Sequence, residues 1–342
     1  MAGLRLGRWA PGAAAFLSAG CSLTEVTIAV PEDVIVAEVQ VVLTQAPHTD
    51  ELTLTAWALL HRTYRPEWTP EISGAVVEVW ADSERTVTLE EQDSLADCIA
   101  LELIARDSID VSSLDAACYR VEVTPAPFAP GEKLFMSATA PDGRVLTGVS
   151  RLPGAFSMIG LRQQDGRCRV EPDTHYRFRW TSARDSWAYV ADARFQGLRR
   201  AMGRRGIEAP DTLYLVGLAI GREDTTIVFP RQFGVFESFN ATDNELDILR
   251  ELWKGLPAGV GAEVAIAAAD RNWVNWERGG NFNPSGQIRI PSVFGDGTGV
   301  FATATLRRVL VRSTVSGRDP LCGPAEPSPF RPRRVLPMPP RR

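Results

Sequence analysis

The sequence predicts an all-β protein: two β-sandwich domains, with one short helix inserted in the second. Three observations carry this. Apolar and polar residues alternate with period two through most of the chain, the pattern of strands with one buried face. Clusters of Pro, Gly, Asp and Asn interrupt these runs roughly every 8–12 positions, the spacing of sandwich strands. Only residues 243–256 (DNELDILRELWKGL) clearly repeat their apolar positions at helical spacing.

The elements follow in order. Residues 34–43 (VIVAEVQVVL) have one continuous and one interrupted apolar face. Residues 52–60 (LTLTAWALL) begin in strict alternation, and 75–80 and 85–89 continue it. In 118–123 (CYRVEV), Tyr119, Val121 and Val123 alternate with Arg120 and Glu122. Strands at 134–140 and 144–150 flank Pro141, Asp142 and Gly143, which is turn chemistry. Residues 90–106 combine helix formers with an acidic start, yet also fit an excursion between strands, and stay unassigned. Residues 154–166, with Gly154, Gly160 and Gly166, read as a linker between domains at 21–153 and 167–316. In the second domain, strands are expected at 175–180, 187–195, 212–220, 225–229, 262–267 and 299–311. The helix buries Leu246, Ile248, Leu249, Leu252, Trp253 and Leu256, with Thr242 or Asp243 as its cap. Residues 317–342 hold eight of the 24 prolines and six arginines, and read as a disordered tail.

Composition narrows the function classes. With 44% hydrophobic and 23% charged residues over 342 positions, the chain is globular in type. No apolar run approaches the ~20 residues of a spanning helix. Of 37 basic and 42 acidic residues, Arg5 and Arg8 precede Cys21, and six arginines with two acids lie in the tail. The body therefore keeps 29 basic and 40 acidic groups, a net of −11, which repels phosphate backbones and argues against nucleic acid as a partner.

Residues 1–20 read as a signal peptide: Arg5 and Arg8, a short apolar stretch from Trp9 to Leu17, then small residues. The ending Leu17-Ser18-Ala19-Gly20-Cys21 resembles a bacterial lipobox, with Ser18 at the position usually held by an aliphatic residue. That resemblance implies lipid attachment at Cys21; an ordinary cleaved signal is the alternative. Several acyl chains anchor a protein stably where one does not. Ser22 follows the cysteine where aspartate often retains lipoproteins at the inner membrane, which points to the outer membrane. Four other cysteines remain. An oxidising compartment makes disulfides available to them. Chain position favours Cys98 with Cys118 and Cys168 with Cys322, against four free thiols.

A family resemblance rests on three sets of residues. Ile72-Ser73-Gly74-Ala75-Val76-Val77-Glu78-Val79 resembles an element of Ig-like modules, and Pro130 to Leu134 with Pro141 to Arg144 resembles a hairpin of the same modules. Asn281-Phe282-Asn283-Pro284-Ser285-Gly286 and Val293-Phe294-Gly295-Asp296-Gly297-Thr298-Gly299-Val300-Phe301 are similar to the closing motif of bacterial lipoproteins carrying domain of unknown function 4249, with Asp296 in place of a glycine. The resemblance implies two β-sandwich domains, a lipid anchor and association with TonB-dependent outer-membrane receptors. It implies no catalytic residues. In steric terms, Gly295, Gly297 and Gly299 admit turns where strands meet.

Catalytic motifs leave little trace. The chain has three histidines and neither HExxH nor GxSxG. No catalytic residue, metal site or cofactor is expected. Trp57, Trp80, Trp180, Trp187 and Trp276 lie in or near strands and are expected in the core. Residues 61–71 (HRTYRPEWTPE) are a loop marked by Pro66 and Pro70, so Tyr64 and Trp68 are the candidate binding residues, for a glycan or a partner protein, against simple packing on their own domain. His175, Arg177 and Arg179 share a strand face opposite Tyr176, Phe178 and Trp180. The expected function is an exported, lipid-anchored binding or accessory lipoprotein of the outer membrane, assisting a TonB-dependent receptor. The alternatives are an adhesin or envelope-stabilising module, and then a hydrolase with a pair of carboxyl groups in an aromatic cleft.

Overall fold

The computed structural model describes residues 32–45, 51–63, 69–82, 85–98, 115–217, 220–235, 237–239, 241–278 and 289–323. Seven strands of the first half are β1 (Ile35–Gln45), β2 (Leu52–Arg62), β3 (Val76–Ala81), β4 (Thr86–Gln92), β5 (Ala117–Val123), β6 (Lys133–Thr139) and β7 (Val145–Arg151). The second half supplies β8 (Arg167–Val170), β9 (Tyr176–Arg179), β10 (Ala188–Gln196), helix α1 (Leu198–Gly203), β11 (Thr212–Val216), β12 (Ile220–Gly221) and β13 (Thr226–Phe229). Helix α2 (Asp243–Lys254), β14 (Gly261–Ala269), helix α3 (Arg271–Arg278), β15 (Val293–Gly295) and β16 (Gly297–Ser313) complete it. All of these lie in one compact unit that begins at Asp33.

The protein is all-β, with short helices on its second half. Its architecture differs from a pair of open sandwiches. The order β1-β2-β5-β4-β3-β6-β7-β15-β16 returns to β1, closing nine strands into a ring. Every pairing in the ring is antiparallel except the closing one. There β1 runs parallel to β16 over eleven positions, from Ile35 opposite Gly297 to Gln45 opposite Arg307. Alternating patterns are common to sandwiches and barrels, and closure is set by a pairing some 260 residues apart in the chain, for which no local signal exists.

The closing seam explains the glycine run. A Cβ on Gly297 would strike the Ile35 carbonyl, and one on Gly299 the Ala37 carbonyl. Gly295 and Gly299 also take positive φ (115° and 143°). Asp296 locks the turn beside them: its carboxylate accepts the Val145 N–H at 2.9 Å.

Strand β16 is the hinge of the architecture. Its first half completes the ring; its second half pairs with β14 on one edge and β8 on the other. From β14 a second sheet continues through β10 to β11 and β12. The ring encloses one core, built mostly from aliphatic residues such as Val39, Leu54, Val79, Leu134 and Leu146. Its Tyr119 hydroxyl donates to the Ile72 carbonyl at 2.6 Å and accepts the Ala75 N–H at 2.9 Å. The second sheet covers an aromatic core with Trp180, Phe195, Phe229 and Phe233, closed by the antiparallel pair of β9 and β13 and by α2. Helix α2 carries the expected cap: Thr242 Oγ1 accepts the Glu245 N–H while Glu245 returns to the Thr242 N–H, a capping box worth about 1 kcal/mol. Residues 154–166 run along the second core, with Phe156 fully buried there.

Both disulfides are formed, Cys98–Cys118 and Cys168–Cys322. The first pins a short 3₁₀ turn (Leu95–Asp97) to β5, which accounts for part of the unassigned stretch 90–106. Residues 99–106 lie outside the described residues. The second ties β8 to the strand-like bridge at Leu321.

Candidate functional site

The ring and the second sheet share β16, and their outer faces meet along it in a groove of about 470 Å³. Strand alternation decides which side chains enter it. In β14, Ala262, Val264, Ile266 and Ala268 point into the second core, leaving Glu263 and Ala265 outside. In β10, Tyr189, Ala191, Ala193 and Phe195 are buried, so Asp192 and Arg194 face the groove. On β16, Val309 and Val311 turn inward, and Leu306 and Arg308 outward. Strand β11 contributes Tyr214, the neighbour of buried Leu215. The ring supplies the opposite wall. Leu54, Ala56 and Ala58 of β2 face the barrel interior and Trp57 faces out, paired across the strands with Arg120 of β5.

Small residues are buried along the shared strands, and one of them, Ala265, lines the groove. Ala302, Ala304, Ala265, Ala267 and Ala269 are all buried although they lie on the face outside both cores. Val42, Ala267 and Ala304 form a separate small cluster on which Trp57, Leu306 and Trp273 rest.

The walls are charged and balanced. Asp97, Asp192 and Glu263 face Arg120, Arg194 and Arg308, three formal charges of each sign. Glu263 accepts Arg194 Nη2 at 2.9 Å and Arg308 Nη1 at 2.6 Å, and its side chain is 18% exposed against 37% and 48% for the arginines. Arg120 donates to the Asp97 carbonyl at 3.3 Å and to the Glu122 carboxylate at 3.2 Å. The Cys98–Cys118 bridge fixes the turn bearing Asp97 beside this arginine. Partly exposed ion pairs of this sort add little stability, so their main effect is to hold donors and acceptors in place.

A second hollow, of about 330 Å³, lies where α3 meets β7 and β15, among Val149, Arg271, Asn272, Ile290 and Phe294. Asn272 Nδ2 donates to the carbonyls of Val149 and Phe301, both at 2.9 Å. Behind it, Asp270 is 4% exposed; it accepts the Ser150 hydroxyl at 2.6 Å and the Trp273 N–H at 2.9 Å, capping α3. Burial pushes its carboxyl above the usual range, against the pull of those hydrogen bonds. This assembly is a joint between ring and helix.

Of the residues singled out in the sequence, Cys21, Tyr64 and Trp68 lie outside the described residues, as do residues 281–286. Trp180 is in the core, as expected. Trp57 and Trp80 are only half-buried, because each sits on the outward face of its strand; Trp187, just ahead of β10, is 38% exposed, and Trp276 falls in helix α3, also half-buried. His175 is buried while Arg177 and Arg179 are exposed: it precedes β9, and its Nε2 lies 2.8 Å from the Trp253 carbonyl. Sequence reasoning missed the groove residues Tyr214, Arg194 and Arg308, since only pairing across distant strands assembles them. Among the described residues, no group of three or more His, Cys, Asp or Glu side chains is arranged to hold a metal ion. No protein-family model matches the chain, and no curated protein matches its sequence.

Proposed function

We propose that this is an exported binding protein, lipid-anchored at the outer membrane through Cys21, which presents the groove beside β16 to its ligand and works beside a TonB-dependent receptor. The observation that carries the reading is the pair of disulfides: such bonds form and persist in oxidising compartments, outside the cytosol. One of them braces a groove wall, so the same chemistry that suits an exported protein also organises its candidate site. The lipobox-like residues ending at Cys21 supply the anchor, and the resemblance to lipoproteins carrying domain of unknown function 4249 supplies the receptor. The outer face of the groove mixes aromatic and charged groups in the manner of small-ligand clefts.

The anchor is tested by detergent-phase partition of envelopes from cells expressing the full chain or Cys21→Ala. The unaltered chain should enter the detergent phase and the variant the aqueous phase. Equal partition of the two would overturn the anchor. A TonB-dependent receptor should co-purify from detergent-solubilised envelopes; its absence would remove that half of the proposal.

A hydrolase is the second reading, favoured by one observation: three carboxyl groups, Asp97, Asp192 and Glu263, line a cleft that also holds Trp57 and Tyr214. Glu263 is already held by two arginines, which suits a positioning group better than a proton donor.

A further inference from the structure

We infer that the groove along β16 is a saccharide site that takes an uncharged, polyhydroxylated chain; the inference rests on the reading of this protein as a binding protein and names its ligand class. Two half-exposed aromatic rings, Trp57 on the ring wall and Tyr214 on the sheet wall, face one cavity. Aromatic side chains offer large apolar faces with a polar edge, the surface on which the C–H faces of a sugar ring stack. The charged groups between them are numerically balanced, three arginines against three carboxylates. An anionic ligand would meet the carboxylates, and a cationic one the guanidinium groups. A sugar hydroxyl both donates and accepts, so it satisfies either kind of partner.

The polar groups are also held in place before a ligand arrives. Arg194 and Arg308 converge on Glu263, and Arg120 is tied to the turn that the Cys98–Cys118 bridge secures. A wall fixed in advance lowers the ordering cost of binding. The groove has a volume of about 470 Å³, inside the range of small-ligand clefts. Ring faces, paired donors and acceptors, and zero net charge together fit a neutral oligosaccharide better than a peptide or an ionic metabolite.

The test is calorimetric titration of the purified full chain, in detergent micelles, with maltohexaose, cellohexaose and xylohexaose, and with hexagalacturonate and a chitosan hexamer as anionic and cationic sugars. At least one neutral hexasaccharide should bind with Kd below about 1 mM. Tyr214→Ala should weaken that binding about tenfold, as should Trp57→Ala. Tyr214 sits on a short outer strand, so its variant tests the site where truncating Trp57 disturbs the packing beneath it; thermal unfolding of both variants reports this separately. Tighter binding of either charged sugar, no binding of any neutral one, or equal affinities for the original chain and Tyr214→Ala would overturn the inference. The titration is indifferent to where the protein resides, so failure of the anchor at Cys21 and failure of the saccharide site give separate results.

Discussion

The two cores solve the same problem by different means. The ring encloses its core by pairing strands to one another until no edge is left, and among the described residues only three in this core are aromatic: Tyr119, Phe128 and Phe301. The second sheet stays open, and its core contains eight: Phe156, Tyr176, Phe178, Trp180, Tyr189, Phe195, Phe229 and Phe233. A closed barrel has a narrow interior that alternating Val, Ala and Leu fill. An open sheet must bury one whole face against other elements, and large rings on β10, on the paired strands β9 and β13 and on the segments beside them span that distance. Several of them meet edge to face, as Phe178 and Phe229 do at 5.9 Å between centroids. Stability in the ring thus depends on backbone fit at the seam. In the second region it depends on rings and on a long-range covalent tie.

That contrast can be broken experimentally. The largest effect is expected from Cys168→Ser, because the bridge spans 154 residues; in the loop-entropy picture its loss costs about 5 kcal/mol, against about 3 kcal/mol for Cys118→Ser across 20 residues. Guanidinium unfolding under non-reducing conditions measures both, and equal losses would contradict the assignment of the longer tie to the second region. Next comes the seam. Gly299→Ala places a Cβ against the Ala37 carbonyl at a positive φ, which should cost about 3 kcal/mol or force the ring open. Gly203→Ala, at the end of α1 with open space around it, is the control and should change stability by no more than about 0.5 kcal/mol. A seam variant as stable as this control would mean that closure does not depend on the glycines.

The smallest effect sharpens the comparison at the joint between the regions. Asp270 has its pKa raised by burial, so the folded state holds its proton to higher pH than the unfolded chain does. Its contribution is complete below the unfolded carboxyl value of about 3.9 and falls as pH rises through the folded value. Asp270→Asn keeps an acceptor for Trp273 and removes the titration. The difference in stability between the original chain and this variant should therefore move in favour of the variant as pH rises above about 4. A difference that is flat with pH would show that Asp270 is ionised in the fold at no cost.

Much of the secondary structure was legible. Strand alternation located β1 to β7 within a residue or two, except that β4 runs on to Gln92 through the start of the unassigned stretch, and the spacing of Ile248, Leu249 and Leu252 located α2 together with its Thr242 cap. The pairing of Cys98 with Cys118 and of Cys168 with Cys322, which their order along the chain favoured, is the one the structure holds. Short elements escaped. Strands β8 and β15 have four and three residues, too few for a period to emerge, and α3 hides in an aromatic stretch whose cap, Asp270, is recognisable only once Ser150 is beside it. The groove was illegible for a related reason. Trp57 has the alternation of a core residue, and nothing local distinguishes a face turned to a barrel interior from one turned to a neighbouring sheet.

By itself the sequence determined where the longer strands lie, which of their faces is apolar and where helix α2 begins, and it favoured the two cysteine pairings over free thiols. These are short-range properties, fixed by side-chain spacing and turn chemistry. Tertiary structure alone decided that β1 and β16 pair to close a ring, that one strand serves two sheets, and that the outward faces left over become a charge-balanced trough. Those outcomes depend on hydrogen bonds and steric fit between segments hundreds of residues apart, and the close approach that Gly297 and Gly299 allow acquires meaning only when Ile35 and Ala37 arrive opposite them.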